Sequence, residues 1–243
     1  MNDVNTLVLN VAPLTQKVRS YFNCPTAEGA YLENQGGSSI LGSHFERRIF
    51  GNELMTAGEV FDRRISEFTL ALLEGTGWYK VDYSLAEPMS YGKNEGCAFL
   101  DTKCIDPETL KPNFKEFCPN LTAEGVSWTK RGYGFCGADP AEIKYDVDPN
   151  LITAFDYWGN KTTVEDKYSD NCPSYFTPYR SVIVQMAQEF DCENAYAPAR
   201  MVKYESRIPG SKAFMGTLAD YSKNPFSYGG YCFKPKVAIY IDI

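Results

Sequence analysis

Eight cysteines constrain this chain more than any other feature. They stand at Cys24, Cys97, Cys104, Cys118, Cys136, Cys172, Cys192 and Cys232, and no two form a Cys-x-x-Cys pair. An even set of isolated cysteines reads as disulfides formed in an oxidising compartment. The alternative, eight buried thiols in a cytosolic protein, leaves that even count unexplained. With one histidine in 243 residues, zinc knuckles built from Cys and His are disfavoured. Eight cysteines allow roughly a hundred pairings, so spacing leaves the connectivity open. Seven of them fall between Cys97 and Cys232. The loops expected there, 106–117, 121–135 and 149–170, are long for a compact domain. Cross-links contributing about 2–4 kcal/mol each would make such loops tolerable.

The front of the chain is patterned differently. Leu7-Val8-Leu9 reads as a short strand. Pro13 suits a first helical turn. Leu14, Val18, Tyr21 and Phe22 then recur at helical spacing as one apolar face, and Cys24-Pro25 ends it. Residues 26–41 read as a Gly-rich, polar loop. A second helix starts either at Thr56, which has capping-box spacing to Glu59, or at Ser66. Its apolar face is Phe61, Ile65, Phe68 and Leu72, with Gly75 and Gly77 as stop signals. Trp78, Tyr79, Val81 and Tyr83 read as a strand-like stretch or an extended wall. From about Tyr91 onward Pro and Gly break long periodicity. Short alternating runs at 181–185 and 237–241 suggest a β-rich, irregular region.

Charge narrows the partners. A net charge of −7 argues against nucleic acid and anionic lipid. Arg47-Arg48 and Arg63-Arg64 are short pairs, read as solvated or ion-paired. No run of 18 apolar residues exists, so no transmembrane helix is expected. The first six residues lack a basic n-region and an apolar core, so no signal peptide is read there. The last six are not a lipid-anchor signal. Asn120-Leu121-Thr122 and Asn160-Lys161-Thr162 are glycosylation sequons at Asn120 and Asn160. A disulfide-rich chain without an export signal is expected to be a fragment.

One stretch carries chemistry. His44, the only histidine, lies in Gly42-Ser43-His44-Phe45-Glu46, and neutral imidazole is the commonest protein ligand of zinc. Gly42 and Gly36-Gly37 permit a tight approach. Met55 lies eleven residues on, a soft side chain suited to the floor of such a site. Glu46 is read either as a surface ion pair with Arg47 or Arg48 or as a carboxylate orienting a metal-site group.

Glu33-Asn34-Gln35-Gly36-Gly37, Gly42-Ser43-His44-Phe45-Glu46 and Asn52-Glu53-Leu54-Met55 together resemble the leishmanolysin family of surface metallopeptidases. The resemblance continues through 66–74, Gly77-Trp78-Tyr79 and Gly96-Cys97-Ala98-Phe99-Leu100. That family is of the metzincin type: three histidines bind one zinc above a Met-turn. The resemblance implies that His44 is the third, distant zinc ligand and Met55 the Met-turn methionine. It implies an α+β fold, with residues 1–92 as the C-terminal part of the metzincin catalytic domain and 93–243 as a cysteine-rich domain. It pairs Cys24 with Cys97, Cys104 with Cys172, Cys118 with Cys136, and Cys192 with Cys232. The family's other two ligands and its general-base Glu lie on an H-E-x-x-H helix, which a chain with one histidine cannot contain. The expectation is therefore a portion of a zinc metalloendopeptidase acting on polypeptides, extracellular or at the cell surface. Its catalytic half lies upstream, and this chain alone is inactive, with weak or no zinc binding. The alternative is a non-catalytic surface or adhesion module derived from the same fold.

Overall fold

The computed structural model describes residues 6–35, 37–58, 63–119, 123–127, 132–136, 167–176, 192, 211–215 and 230–233. Two compact units divide the chain. The first is Met1–Pro119 with Gly137–Ser174, and the second is Asn120–Cys136 with Tyr175–Ile243.

In the first unit, strand β1 (Val8–Leu9) pairs antiparallel with β2 (Ala30–Tyr31), Val8 opposite Tyr31. Helix α1 (Ala12–Phe22) runs between them. Its expected apolar face is the one that packs: Leu14, Val18, Tyr21 and Phe22 are all buried. The helix stops where Asn23 turns left-handed at φ 55°, the Cys24 N–H donating to Arg19 O at 3.0 Å. Asn tolerates that conformation better than most residues. Cys24 is then bonded to Cys97, with a Cα separation of 4.7 Å. The bond joins the end of α1 to the start of α4 (Cys97–Asp101).

Helix α2 is a single turn, Arg47–Phe50, and α3 spans Glu67–Gly75. Ser66 is the N-cap of α3, its Oγ accepting the Phe68 N–H at 3.0 Å, so the later of the two possible starts holds. Gly77, at φ 73°, turns the chain away past the helix end. Of the expected apolar face, Phe68 is buried, Leu72 is half-buried and Ile65 is exposed. Phe61 lies outside the described residues.

Aromatic rings from helices α1, α2, α3 and α4 meet in one core. Phe22 stacks on Phe68 at 6.0 Å and on Phe99 at 5.8 Å between centroids. It meets Tyr21 and Phe50 edge-on at 4.9 and 5.8 Å. Phe99 extends the cluster to Phe114 and Phe117. Such pairs contribute about 0.5–1.5 kcal/mol each beyond their buried area. The cluster also dictates a glycine: Gly92 sits at φ 69°, and a Cβ there would lie 2.5 Å from Phe99 Cε1.

The stretch from Trp78 to Tyr83 is neither strand nor wall. Trp78 is 85% exposed, and Tyr83 opens a 3-10 turn, Tyr83–Leu85. Alternation alone failed there because, among the described residues, no strand pairs with it. Tyr83 is held locally instead, its hydroxyl donating to Glu74 at 2.7 Å and its ring lying 4.3 Å from Lys17 Nζ.

In the second unit, β3 (Glu124–Val126) and β4 (Tyr133–Cys136) form an antiparallel hairpin in the stretch expected to be a loop. Gly125 and Gly134, which weaken a strand reading, face each other in register. A Cβ on Gly125 would lie 2.5 Å from the ring of Tyr175. That tyrosine belongs to β5 (Tyr175–Phe176), which pairs with the other edge of β4. Strand β6 (Lys212–Met215) pairs antiparallel with β7 (Gly230–Phe233). The alternating runs at 181–185 and 237–241, and the sequons at Asn120 and Asn160, lie outside the described residues. The helix-and-strand content agrees with a mixed fold.

No cysteine is free. Beside Cys24–Cys97, bonds join Cys104 to Cys172 and Cys192 to Cys232, three pairings that the family resemblance implied. Cys118 and Cys136 are disulfide-bonded as well.

Two outcomes follow from this packing. Phe22→Ala is expected to lower stability by about 3–5 kcal/mol, while Trp78→Ala changes it by no more than about 0.5 kcal/mol; urea midpoints compare them. Glu116 is buried, and its Oε1 accepts the Gly92 N–H at 3.1 Å. Burial, aided by the charge of Glu95, raises its carboxyl above the ordinary Glu value of 4.5. The folded chain therefore keeps a proton that the unfolded chain has released. The stability this contributes is complete below the ordinary value and is lost as pH rises through the folded one. Urea midpoints from pH 4 to 8 should show that decline, and Glu116→Gln should flatten it.

Candidate metal centre

The approach to His44 is built from backbone hydrogen bonds. Gly37 and Gly42 take φ values of 76° and 71°, and between them the Ile40 and Leu41 N–H groups both donate to Gly37 O. This knot returns the chain beside Glu33. Glu33 N–H donates to His44 O, and Gly42 N–H to Glu33 O, both at 2.8 Å. On the far side Phe45 N–H donates to Met55 O at 2.8 Å, and Phe45 forms a parallel bridge with Thr56. The backbones carrying His44 and Met55 are thus adjacent. Both side chains are half-buried.

His44 Nδ1 lies 3.1 Å from Ser43 Oγ and 3.4 Å from Ile40 O. A carbonyl can only accept, so a proton on Nδ1 satisfies it. With the proton on Nδ1, the lone pair of the ring lies on Nε2.

Glu46 is not a surface ion-pair residue. It is fully buried and caps α2, Oε1 accepting the Arg48 N–H and Oε2 the Asn34 amide, both at 3.1 Å. Burial pushes its carboxyl well above the usual range. The charge of Asp170 adds to the shift and that of Arg48 opposes it. Arg48 is likewise not solvated. It is buried, donating from Nη1 to Phe99 O at 2.9 Å and from Nη2 to Leu100 O at 2.7 Å. Its Nε faces Asp170 Oδ2 at 3.5 Å, and Asp170 Oδ1 accepts Gln35 Nε2 at 2.9 Å. Burial raises the Asp170 carboxyl too, against the opposing pull of Arg48. The other pair behaves as expected at Arg64, which meets Glu87 at 3.4 Å; Arg63 donates to Leu54 O and Thr56 O.

Sequence reading gave Glu53 no role. It is buried, accepting from Ser66 Oγ at 2.7 Å, from Thr69 Oγ1 and from the Met55 N–H. Its one sequence signal is position: a carboxylate two residues before Met55.

Among the described residues no three His, Cys, Asp or Glu side chains gather into a group able to hold a metal. His44 supplies a single imidazole. Zinc takes three protein ligands in a catalytic site and four in a structural one, so the donor set here does not make a zinc site by itself.

The profile of the leishmanolysin peptidase family matches residues 1–236, and the chain belongs to that family. It is 30% identical over 218 residues to a leishmanolysin-like peptidase of Drosophila pseudoobscura pseudoobscura, covering 82% of this chain and 31% of that protein. A leishmanolysin-like peptidase of Drosophila melanogaster is 47% identical over 90 residues, 37% of this chain and 13% of its own length. Leishmanolysin of Leishmania chagasi is 33% identical over 162 residues, 63% and 26% respectively. The chain thus spans less than a third of the length of these relatives.

Arg48→Met is expected to destabilise the fold by about 3–5 kcal/mol, because it strands two buried carboxyls without their counter-ion. Adding Asp170→Asn should recover part of that loss, and the coupling energy is read from a double-mutant cycle of urea midpoints.

Proposed function

We propose that this chain is a portion of a leishmanolysin-like zinc metalloendopeptidase that hydrolyses peptide bonds in proteins. Family membership supports peptidase chemistry. The observation that carries the role of this portion is the frame around His44: an imidazole oriented through Nδ1, on a segment bonded through Phe45 to Met55. In this reading His44 supplies one of three zinc ligands and Met55 the floor beneath them. The remaining two imidazoles and the general-base Glu come from an H-E-x-x-H helix elsewhere in the longer protein. When bound, zinc supplies Lewis acidity at a scissile carbonyl. This chain's share is to hold one ligand in place, and its boundary as a catalytic-domain portion falls at 92/93, ahead of a cysteine-rich domain. Full oxidation of the cysteines supports an extracellular or cell-surface location.

The test compares two proteins on a peptide substrate. The 243-residue chain should hydrolyse nothing, with or without zinc. The longer protein should be active, lose that activity with His44→Ala, and keep most of it with Met55→Leu, which nearly conserves volume. Zinc-dependent cleavage by the short chain, or full activity of the longer His44→Ala protein, overturns the proposal.

A further inference from the structure

Three donors converge on the buried carboxylate of Glu53, and they come from two places. Ser66 Oγ and Thr69 Oγ1 reach Oε1 from the N-cap and first turn of α3, and the Met55 N–H reaches Oε2 from the turn beside His44. The carboxylate lies at the electropositive end of α3, where a negative group is favoured. Met55 passes the constraint on, since its carbonyl accepts the Phe45 N–H at 2.8 Å. Phe45 is the covalent neighbour of His44. The carboxylate is therefore the strut between a helix packed on the aromatic core and the segment that carries the imidazole.

We infer that Glu53 is a positioning residue for His44: it fixes the segment 44–45 against α3 through Met55, and so sets the orientation of the ring. The inference rests on the reading of His44 as a zinc ligand, but the geometry it concerns belongs to this chain alone. A purely structural Glu53 would contribute stability and nothing local to His44. The two roles can be separated because His44 is the only histidine, which makes its ring nitrogen signals unambiguous in the labelled full chain.

Glu53→Ala should shift the His44 ring 15N signals from their wild-type positions. It should also speed amide exchange at Phe45 about tenfold or more, since one anchored end of the hydrogen-bond chain is gone. Glu53→Gln keeps a planar group with an oxygen for the Met55 N–H, and should retain the wild-type ring signals. Val18→Ala, on α1, lowers global stability without touching this relay and should leave the ring signals in place. If Glu53→Ala does not fold, Thr69→Val removes a single hydroxyl donor and serves the same comparison. Unchanged ring signals in the variant that folds overturn the inference, as does an equal change in Val18→Ala. Failure of the zinc reading would show separately, as absence of zinc from the longer protein, and would leave these signals untouched.

Discussion

The first unit depends on burying one guanidinium. Taking Arg48 out of water costs several kcal/mol, and the fold offsets that cost with groups that need a donor. Phe99 O and Leu100 O lie in the last turn of α4, where carbonyls have no helical partner. Arg48 donates to both and faces Asp170 on its third side. Its own carbonyl accepts the Tyr91 hydroxyl at 2.9 Å, and Tyr91 O accepts the Tyr21 hydroxyl at the same distance. One side chain thus ties α2 to α4, and its backbone ties α2 to α1. The segment at 170 is drawn in through Asp170, which also holds Gln35.

That arrangement flanks the segment carrying His44. On one side Asn34, Gln35, Glu46, Arg48 and Asp170 anchor the chain before and after it. On the other, Glu53 holds the Met55 turn to α3. Neither network contains the imidazole, which is half-exposed at their edge. Two buried carboxyls share a single Arg, and burial holds both above the ordinary range against its pull. A stranded member of such a network costs more than a lost surface contact. The buried polar groups thus back the segment from inside, while the His44 ring stays half-exposed.

Much of the local structure was legible in the sequence, and the parts that were not share a cause. Helix α1 could be read because its pattern is local, with Leu14, Val18, Tyr21 and Phe22 on one face. Ser66 could be read as a cap from its place before the apolar run. The adjacency of His44 and Met55 came from family resemblance, and backbone bonds through Phe45 realise it. Arg48 could not be read, because a buried Arg and a solvated one look alike in an Arg-Arg pair. Its partner Asp170 is distant in sequence, as the bond from Gln35 across 135 positions shows. Glu53 was hidden for the same reason: its side-chain donors arrive 13 and 16 residues later. Trp78 to Tyr83 misled in the opposite direction, with a strand pattern and no partner strand among the described residues.

The central claim is that His44, held in this frame, is one of the ligands of a zinc ion completed by residues outside the chain. Equilibrium dialysis of the longer protein against buffered zinc, wild type beside His44→Ala, addresses it most directly. The account predicts one tightly held zinc per wild-type molecule and an affinity at least about a hundredfold weaker in His44→Ala, since losing a direct ligand should cost no less than losing an outer-shell partner. Equal zinc affinity in the two proteins would contradict it.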